Sequence, residues 1–125
     1  MMPEPVARKL LLLVEDNEVE REGLLTILSR EGFLVYAAGN GARASEQLCD
    51  PAPDLILLDM LMPGADGWHL LRRRRVEWPA VPVLVLTPLS IPSDAWAGAL
   101  GAPCWLRKPV SAEELLAQVG RCLAA

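Results

Sequence analysis

Four consecutive aliphatic residues, Leu55-Ile56-Leu57-Leu58, stand between Asp54 and Asp59, and a loop-like stretch, Met60-Leu61-Met62-Pro63-Gly64-Ala65-Asp66-Gly67, follows. Such a run is too short for an amphipathic helix and reads as a strand buried on both faces. A strand of that kind needs cover above and below, which points to a layered α/β architecture. Asp59 ends the run. A carboxylate at the carboxyl end of a buried strand faces the edge where open α/β sheets bind their ligands, although Asp also opens turns in its own right.

The pattern recurs along the chain. Residues 1–8, with Pro3 and Pro5, read as a disordered lead-in to one domain spanning 9–125. Lys9 to Val14 is predicted as a strand that stops at Glu15-Asp16-Asn17. Asn17 would cap a helix on which Val19, Leu24, Ile27 and Leu28 recur at helical spacing, with Glu20 as the capping-box acid and Gly32 as the stop. Phe33 to Ala38 is a second strand, and a short helix follows up to about Cys49. Asp66 is the predicted cap of a third helix carrying Trp68, Leu70, Leu71 and Val76 and ending near Trp78-Pro79. Arg72 to Arg75 point all round that helix, so they read as a solvated end whose cations meet the negative pole of the helix dipole. Val81 to Leu86 is a fourth strand, Ser93 to Leu100 a small helix with Trp96, and Pro103 to Arg107 a fifth strand. Ser111-Ala112-Glu113-Glu114 is a capping box that opens a last helix to about Leu123. A strand followed by a helix, five times over with short connections, gives a doubly wound, mostly parallel sheet.

Composition narrows the function classes. A chain of 125 residues, 52% hydrophobic, can bury the core of one ordinary domain. A net charge of -4 and a pI near 5.0 argue against a chain built for nucleic acid or an anionic membrane and favour cations as ligands. The longest aliphatic run, Leu10 to Val14, is far short of a membrane span. Cys49, Cys104 and Cys122 show no metal or redox spacing and read as core residues of a reducing, cytoplasmic compartment. His69 is the only histidine, which leaves little for a zinc site or a Ser-His-Asp triad.

The polar residues at the strand ends form one chemical set. Glu15 and Asp16 follow the first strand, Asp59 the third, Thr87 the fourth and Lys108 the fifth. In the strand order 2-1-3-4-5 the first and third strands are central neighbours, and the reversal of winding opens a crevice between them. Three carboxylates brought to that crevice repel one another unless a cation joins them. Magnesium, which takes oxygen ligands and phosphate together, suits the set. Asp59 would be a carboxylate nucleophile, and the metal, Lys108 and Thr87 would offset charge on a transferring phosphoryl group.

On these residues the chain resembles the receiver domain of two-component response regulators, from about Lys9 to Leu123. The resemblance rests on Leu12-Leu13-Val14-Glu15-Asp16-Asn17, on Asp54 to Asp59, on Met62-Pro63-Gly64-Ala65-Asp66-Gly67, and on Thr87 with Lys108-Pro109. It implies a flavodoxin-like fold in which Asp59 accepts a phosphoryl group from a histidine kinase or phosphotransfer protein. It also implies Mg²⁺ held by Asp16, Asp59 and the Leu61 backbone carbonyl, with Glu15 acting mainly through a bound water. Thr87 and Lys108 would contact the phosphoryl group, and Trp105 falls at the position of the family's aromatic switch. Such a domain catalyses only its own phosphorylation and dephosphorylation. It signals to a downstream protein, here with no direct nucleic-acid or membrane contact. A weak homodimer would use the face formed by the helix at 93–100, the fifth strand and the last helix. The same resemblance implies a cis Lys108-Pro109 bond, which X-Pro permits at low cost.

Three positions depart from the family pattern. Pro88 follows the switch hydroxyl where a small residue is expected; it fixes its own φ and biases Thr87 toward extended backbone. With Pro92, it should stiffen the loop and shrink the switching movement. Leu61 and Leu89 cannot orient an attacking water, so dephosphorylation should be slow. A haloacid-dehalogenase-type phosphatase would need a second acid where Leu61 stands. A flavin module would need a hydroxyl- and glycine-rich loop where Glu15-Asp16 stand. The remaining alternative is a receiver-like protein-binding module that works without phosphorylation.

Overall fold

Alternation along the first strand divides the core into two layers. Leu10, Leu12 and Val14 point to one side and Leu11 and Leu13 to the other, as the two-residue period of a strand requires. In a computed structural model, residues 8–47, 52–59, 65–88 and 104–124 are described. Their elements are β1 (Leu10–Glu15), α1 (Glu18–Arg30), β2 (Leu34–Ala38), α2 (Gly41–Gln47), β3 (Leu55–Asp59), α3 (Ala65–Glu77), β4 (Val83–Thr87), β5 (Cys104–Arg107) and α4 (Ala112–Ala124). The sheet is parallel throughout, in the order β2-β1-β3-β4-β5. The doubly wound, flavodoxin-like α/β fold expected from the strand pattern is therefore the fold observed.

One core layer joins Ile56, Leu58, Val83 and Val85 to Leu70 and Leu71 of α3 and to Trp78. The other joins Leu55, Leu57, Leu84 and Leu86 to Leu28 of α1 and to Leu115, Val119 and Cys122 of α4. β1, β3 and β4 are buried at every position, which is why they read as unbroken aliphatic runs. β2 lies at the sheet edge, and its Leu34 and Tyr36 are about half exposed. Gly32, with a φ of 101°, supplies the left-handed residue that ends α1. The Lys108-Pro109 bond is cis, as the resemblance implied.

Several local expectations need correction. Val19 is 81% exposed and Val76 73%, so neither belongs to the core face of its helix; Trp68 is also exposed. Apolar spacing alone overstated the buried stripes of α1 and α3, whose core contacts come from fewer positions. Asp66 lies inside α3, which begins at Ala65. Only part of the arginine run is a solvated end. The Arg73 guanidinium donates to Glu77 and to the Ser45 carbonyl, reaches Ser45 Oγ at 2.9 Å, and lies 4.7 Å from the Trp78 ring centroid. Arg74 Nε donates to the Val81 carbonyl at 2.7 Å, while Arg72 and Arg75 are exposed. The lead-in at 1–7, Cys49, Leu61, Leu89, Pro92, Pro103 and the helix expected at 93–100 with Trp96 lie outside the described residues.

Candidate functional site

Strand register builds the site. Glu15, the last residue of β1, is the direct partner of Asp59, the last residue of β3. Both were expected just past their strands and instead close them. Their side chains are almost fully buried, as is Thr87 at the end of β4. On the far side of β4, the Lys108 N–H donates to the Thr87 carbonyl at 2.8 Å, which fixes where the lysine leaves β5. Lys108 Nζ then reaches back to 2.7 Å from Asp59 Oδ1 and 4.0 Å from Glu15 Oε2.

Two acids buried against one ammonium cannot both ionise cheaply. Glu15 Oε1 accepts the Asn17 N–H at 2.8 Å, but Glu15 Oε2 has no hydrogen-bond donor although it is buried. The Lys108 contact with Asp59 Oδ1 is an ion pair without good hydrogen-bond direction. Burial, with the neighbouring Asp59 carboxylate adding to it, pushes the Glu15 carboxyl up to about 9; Asp16 adds a smaller push. For Lys108, burial pulls the ammonium down, but its contacts with Asp59 and Glu20 outweigh that and the group is raised overall. Crowded oxygens, two of them buried without a hydrogen bond, are the donor set that a hard divalent cation satisfies.

The expected residues are brought together unevenly. Glu15, Asp59 and Lys108 meet directly, and Thr87 stands one strand away at the same edge. Asp16 is exposed beside the buried pair. Trp105 is half-buried opposite Val85 and packs on the core layer that includes α3. Leu61 lies outside the described residues.

Glu20 is the residue that the sequence reading missed. Its carboxylate lies 2.7 Å from Lys108 Nζ, and oxygens of Glu15, Glu20 and Asp59 lie within 4.8 Å of one another. It was assigned to a capping box, yet only half of that box forms. Asn17 Oδ1 accepts the Glu20 N–H at 2.9 Å, whereas the reciprocal bond to the Asn17 N–H comes from Glu15. The signal was the position of Glu20, in the first turn of a helix that starts at the site.

A cavity of about 260 Å³ lies between Glu20, Leu24 and Ile27 of α1 and Asp59, Lys108 and Val110, beside the buried acid. A carboxylate beside an ammonium, a buried hydroxyl and a crowded oxygen cluster are the groups that phosphoryl transfer to an acid calls on. No helix among the described residues is long and apolar enough to cross a membrane.

Comparison with known proteins agrees with this geometry. The family model "Response regulator receiver domain" matches residues 11–120. The response regulator MprA of Mycobacterium ulcerans is 38% identical over 110 residues, 87% of this chain and 47% of that protein. The transcriptional regulatory protein GltR of Pseudomonas aeruginosa is 39% identical over 112 residues, 87% of this chain and 46% of that protein. This chain thus spans about half the length of these curated relatives. Among solved structures, the receiver domain of the sensor histidine kinase PA1611 from Pseudomonas aeruginosa PAO1, with a magnesium ion coordinated in its active site cleft, superposes with a TM-score of 0.81. It is 28% identical, over 95% of this chain and 100% of that one. Fold, strand-end chemistry and these matches together show that the chain belongs to the response regulator receiver domain family.

Proposed function

We propose that this chain is the phosphoacceptor of a two-component relay, taking a phosphoryl group on Asp59 from a histidine kinase or phosphotransfer protein. The observation that carries the reading is the Asp59 carboxylate, buried at a strand end, with Lys108 Nζ at 2.7 Å and a buried Glu15 oxygen that accepts no hydrogen bond alongside. An Asp59 oxygen attacks phosphorus and forms a new P–O bond while the bond to the donor's nitrogen breaks, its electron pair leaving with the donor. The carboxylate is the attacking form, so no proton has to be removed first. Lys108 offsets charge on the phosphoryl oxygens, and the Thr87 hydroxyl donates to one of them.

Mg²⁺, when bound, neutralises charge between Asp59 and the incoming phosphoryl group. Asp16, Asp59 and the Leu61 carbonyl would hold it by the family pattern, with Glu15 acting through a bound water; the unpartnered Glu15 oxygen supports the fit. Trp105 and Thr87 are the switch pair of this reading, and β5 with α4 forms part of the surface that a downstream protein or a second copy would meet. The setting is the cytoplasm, and the only reactions catalysed are the domain's own phosphorylation and dephosphorylation. Pro88 limits the excursion of Thr87, and the phosphoryl group persists for minutes or longer because Leu61 and Leu89 cannot orient a water.

Intact-mass measurement after incubation with Mg²⁺ and acetyl phosphate tests the reading. One phosphoryl adduct on wild type, absent from Asp59→Asn and from a Mg²⁺-free control, is the expected result. An adduct that persists in Asp59→Asn would overturn it. No adduct at all would favour the protein-binding alternative, to which Pro88, set directly after the switch hydroxyl, gives its particular support.

A further inference from the structure

Lys108 is held from two sides. Its ammonium has three donors and no acceptor, and its nitrogen lies 2.7 Å from Asp59 Oδ1 and equally 2.7 Å from Glu20 Oε2. The two acids differ in what they can do. Asp59 is fixed in the strand end and 2% exposed. Glu20, on the first turn of α1, has a side chain 49% exposed and can turn into solvent. Its backbone N–H is committed to the α1 cap, but the carboxylate makes no capping bond.

From this geometry we infer that Glu20 is a positioning residue that latches Lys108 before Asp59 is phosphorylated and must release it afterwards. The inference rests on the phosphoacceptor reading of Asp59. While Asp59 is free, the Glu20 carboxylate keeps the ammonium from following solvent out of the cavity. When a phosphoryl group arrives, Lys108 has to serve its oxygens. Glu20, with an oxygen within 4.8 Å of those of Asp59 and Glu15, then competes for the lysine and repels the added negative charge. An ion pair with one partner half in water breaks at little cost, so the latch slows the transfer without preventing it. Its strength falls as salt screens the exposed carboxylate.

Glu20→Gln removes the charge at nearly constant size and shape. The expected outcome is about two- to fivefold faster adduct formation on Asp59 with acetyl phosphate and Mg²⁺, and a similarly tighter hold on Mg²⁺-beryllofluoride. The gain should shrink between about 0.05 M and about 0.5 M salt. Glu20→Asp, which keeps the charge but cannot span the distance, should fall between the two. The ¹⁵N resonance of the Lys108 ammonium, recorded without any phosphoryl donor, should shift in Glu20→Gln and broaden through faster proton exchange. Equal rates and an unchanged lysine signal in Glu20→Gln overturn the latch. A loss of Mg²⁺ affinity in that variant also overturns it, by making Glu20 a metal ligand. A wild-type protein that takes no phosphoryl group removes the phosphoacceptor reading and the latch together. Phosphorylation of wild type and variant at one rate removes only the latch.

Discussion

Among the described residues two charged clusters lie at opposite edges of one parallel sheet, and they are built on different rules. At the carboxyl edge, register makes Glu15 and Asp59 direct partners and buries both, so two acids are forced together and, among the described residues, Lys108 is the cation that reaches into the cleft to offset them. At the other edge, where Arg74 donates to the Val81 carbonyl just before β4, the arginines of α3 disperse. One reaches Ser45, Glu77 and the face of Trp78, another a carbonyl, and two face solvent. A sheet edge concentrates charge because its geometry is fixed by the ladder; a helix surface spreads charge because consecutive positions diverge by about 100°. Stored repulsion marks the first cluster as a place for a ligand. Charge already satisfied marks the second as a finished helix end.

Removing the counter-charge is the strongest way to break that contrast. Lys108→Met should destabilise the metal-free protein by about 2–3 kcal/mol, measured by urea unfolding at neutral pH, because it leaves two buried carboxyls unpaired. Glu15→Gln should act in the opposite direction. The folded-state carboxyl is raised to about 9, so the folded protein holds a proton that the unfolded chain releases above its ordinary value of 4.5. Glu15 therefore costs nothing at low pH and increasingly more as pH rises from that value toward 9. Lys108, raised rather than lowered, stays charged across the same range and adds no slope. Glu15→Gln should gain about 2–3 kcal/mol over wild type on going from pH 6 to pH 8. A difference between the two proteins that does not change with pH would show that the buried acid is not under strain.

The carboxyl edge was also the more legible part of the sequence. Runs such as Leu10 to Val14 and Leu55 to Leu58 can only be strands covered on both faces, and each ends at a chemically odd residue, so order and edge could be read together. Glu20 could not, because an acid three residues after Asn17 has a sufficient local explanation as a cap; its contact with Lys108 spans 88 positions of sequence. Asp54 shows the same blindness: its carboxylate accepts the Leu10 N–H at 2.7 Å and ties the start of β1 to the start of β3, a bond no local pattern announces. Val19 and Val76 failed for another reason. Helical spacing says which residues share a face but not how far along the helix that face stays covered.

Magnesium sharpens the comparison at intermediate size. At about ten times its dissociation constant it should stabilise wild type by about 1.4 kcal/mol. Thermal melts should show the gain lost in Asp59→Asn, and no comparable gain should arise from the arginine edge with any simple anion.

The arginines themselves give the smallest effects, and their pattern matters more than their size. Arg73→Ala removes hydrogen bonds to Ser45, the Glu77 ion pair and the stacking on Trp78, so it should cost about 1 kcal/mol. Arg75→Ala removes an exposed cation from the last turn, worth at most about 0.5 kcal/mol through the helix dipole. Urea unfolding of the two variants in one buffer should separate them. If Arg75→Ala proved as costly as Arg73→Ala, the charge of the helix end, rather than the bonds of one arginine, would be holding α3 in place, and this edge would depend on concentrated charge as the other one does.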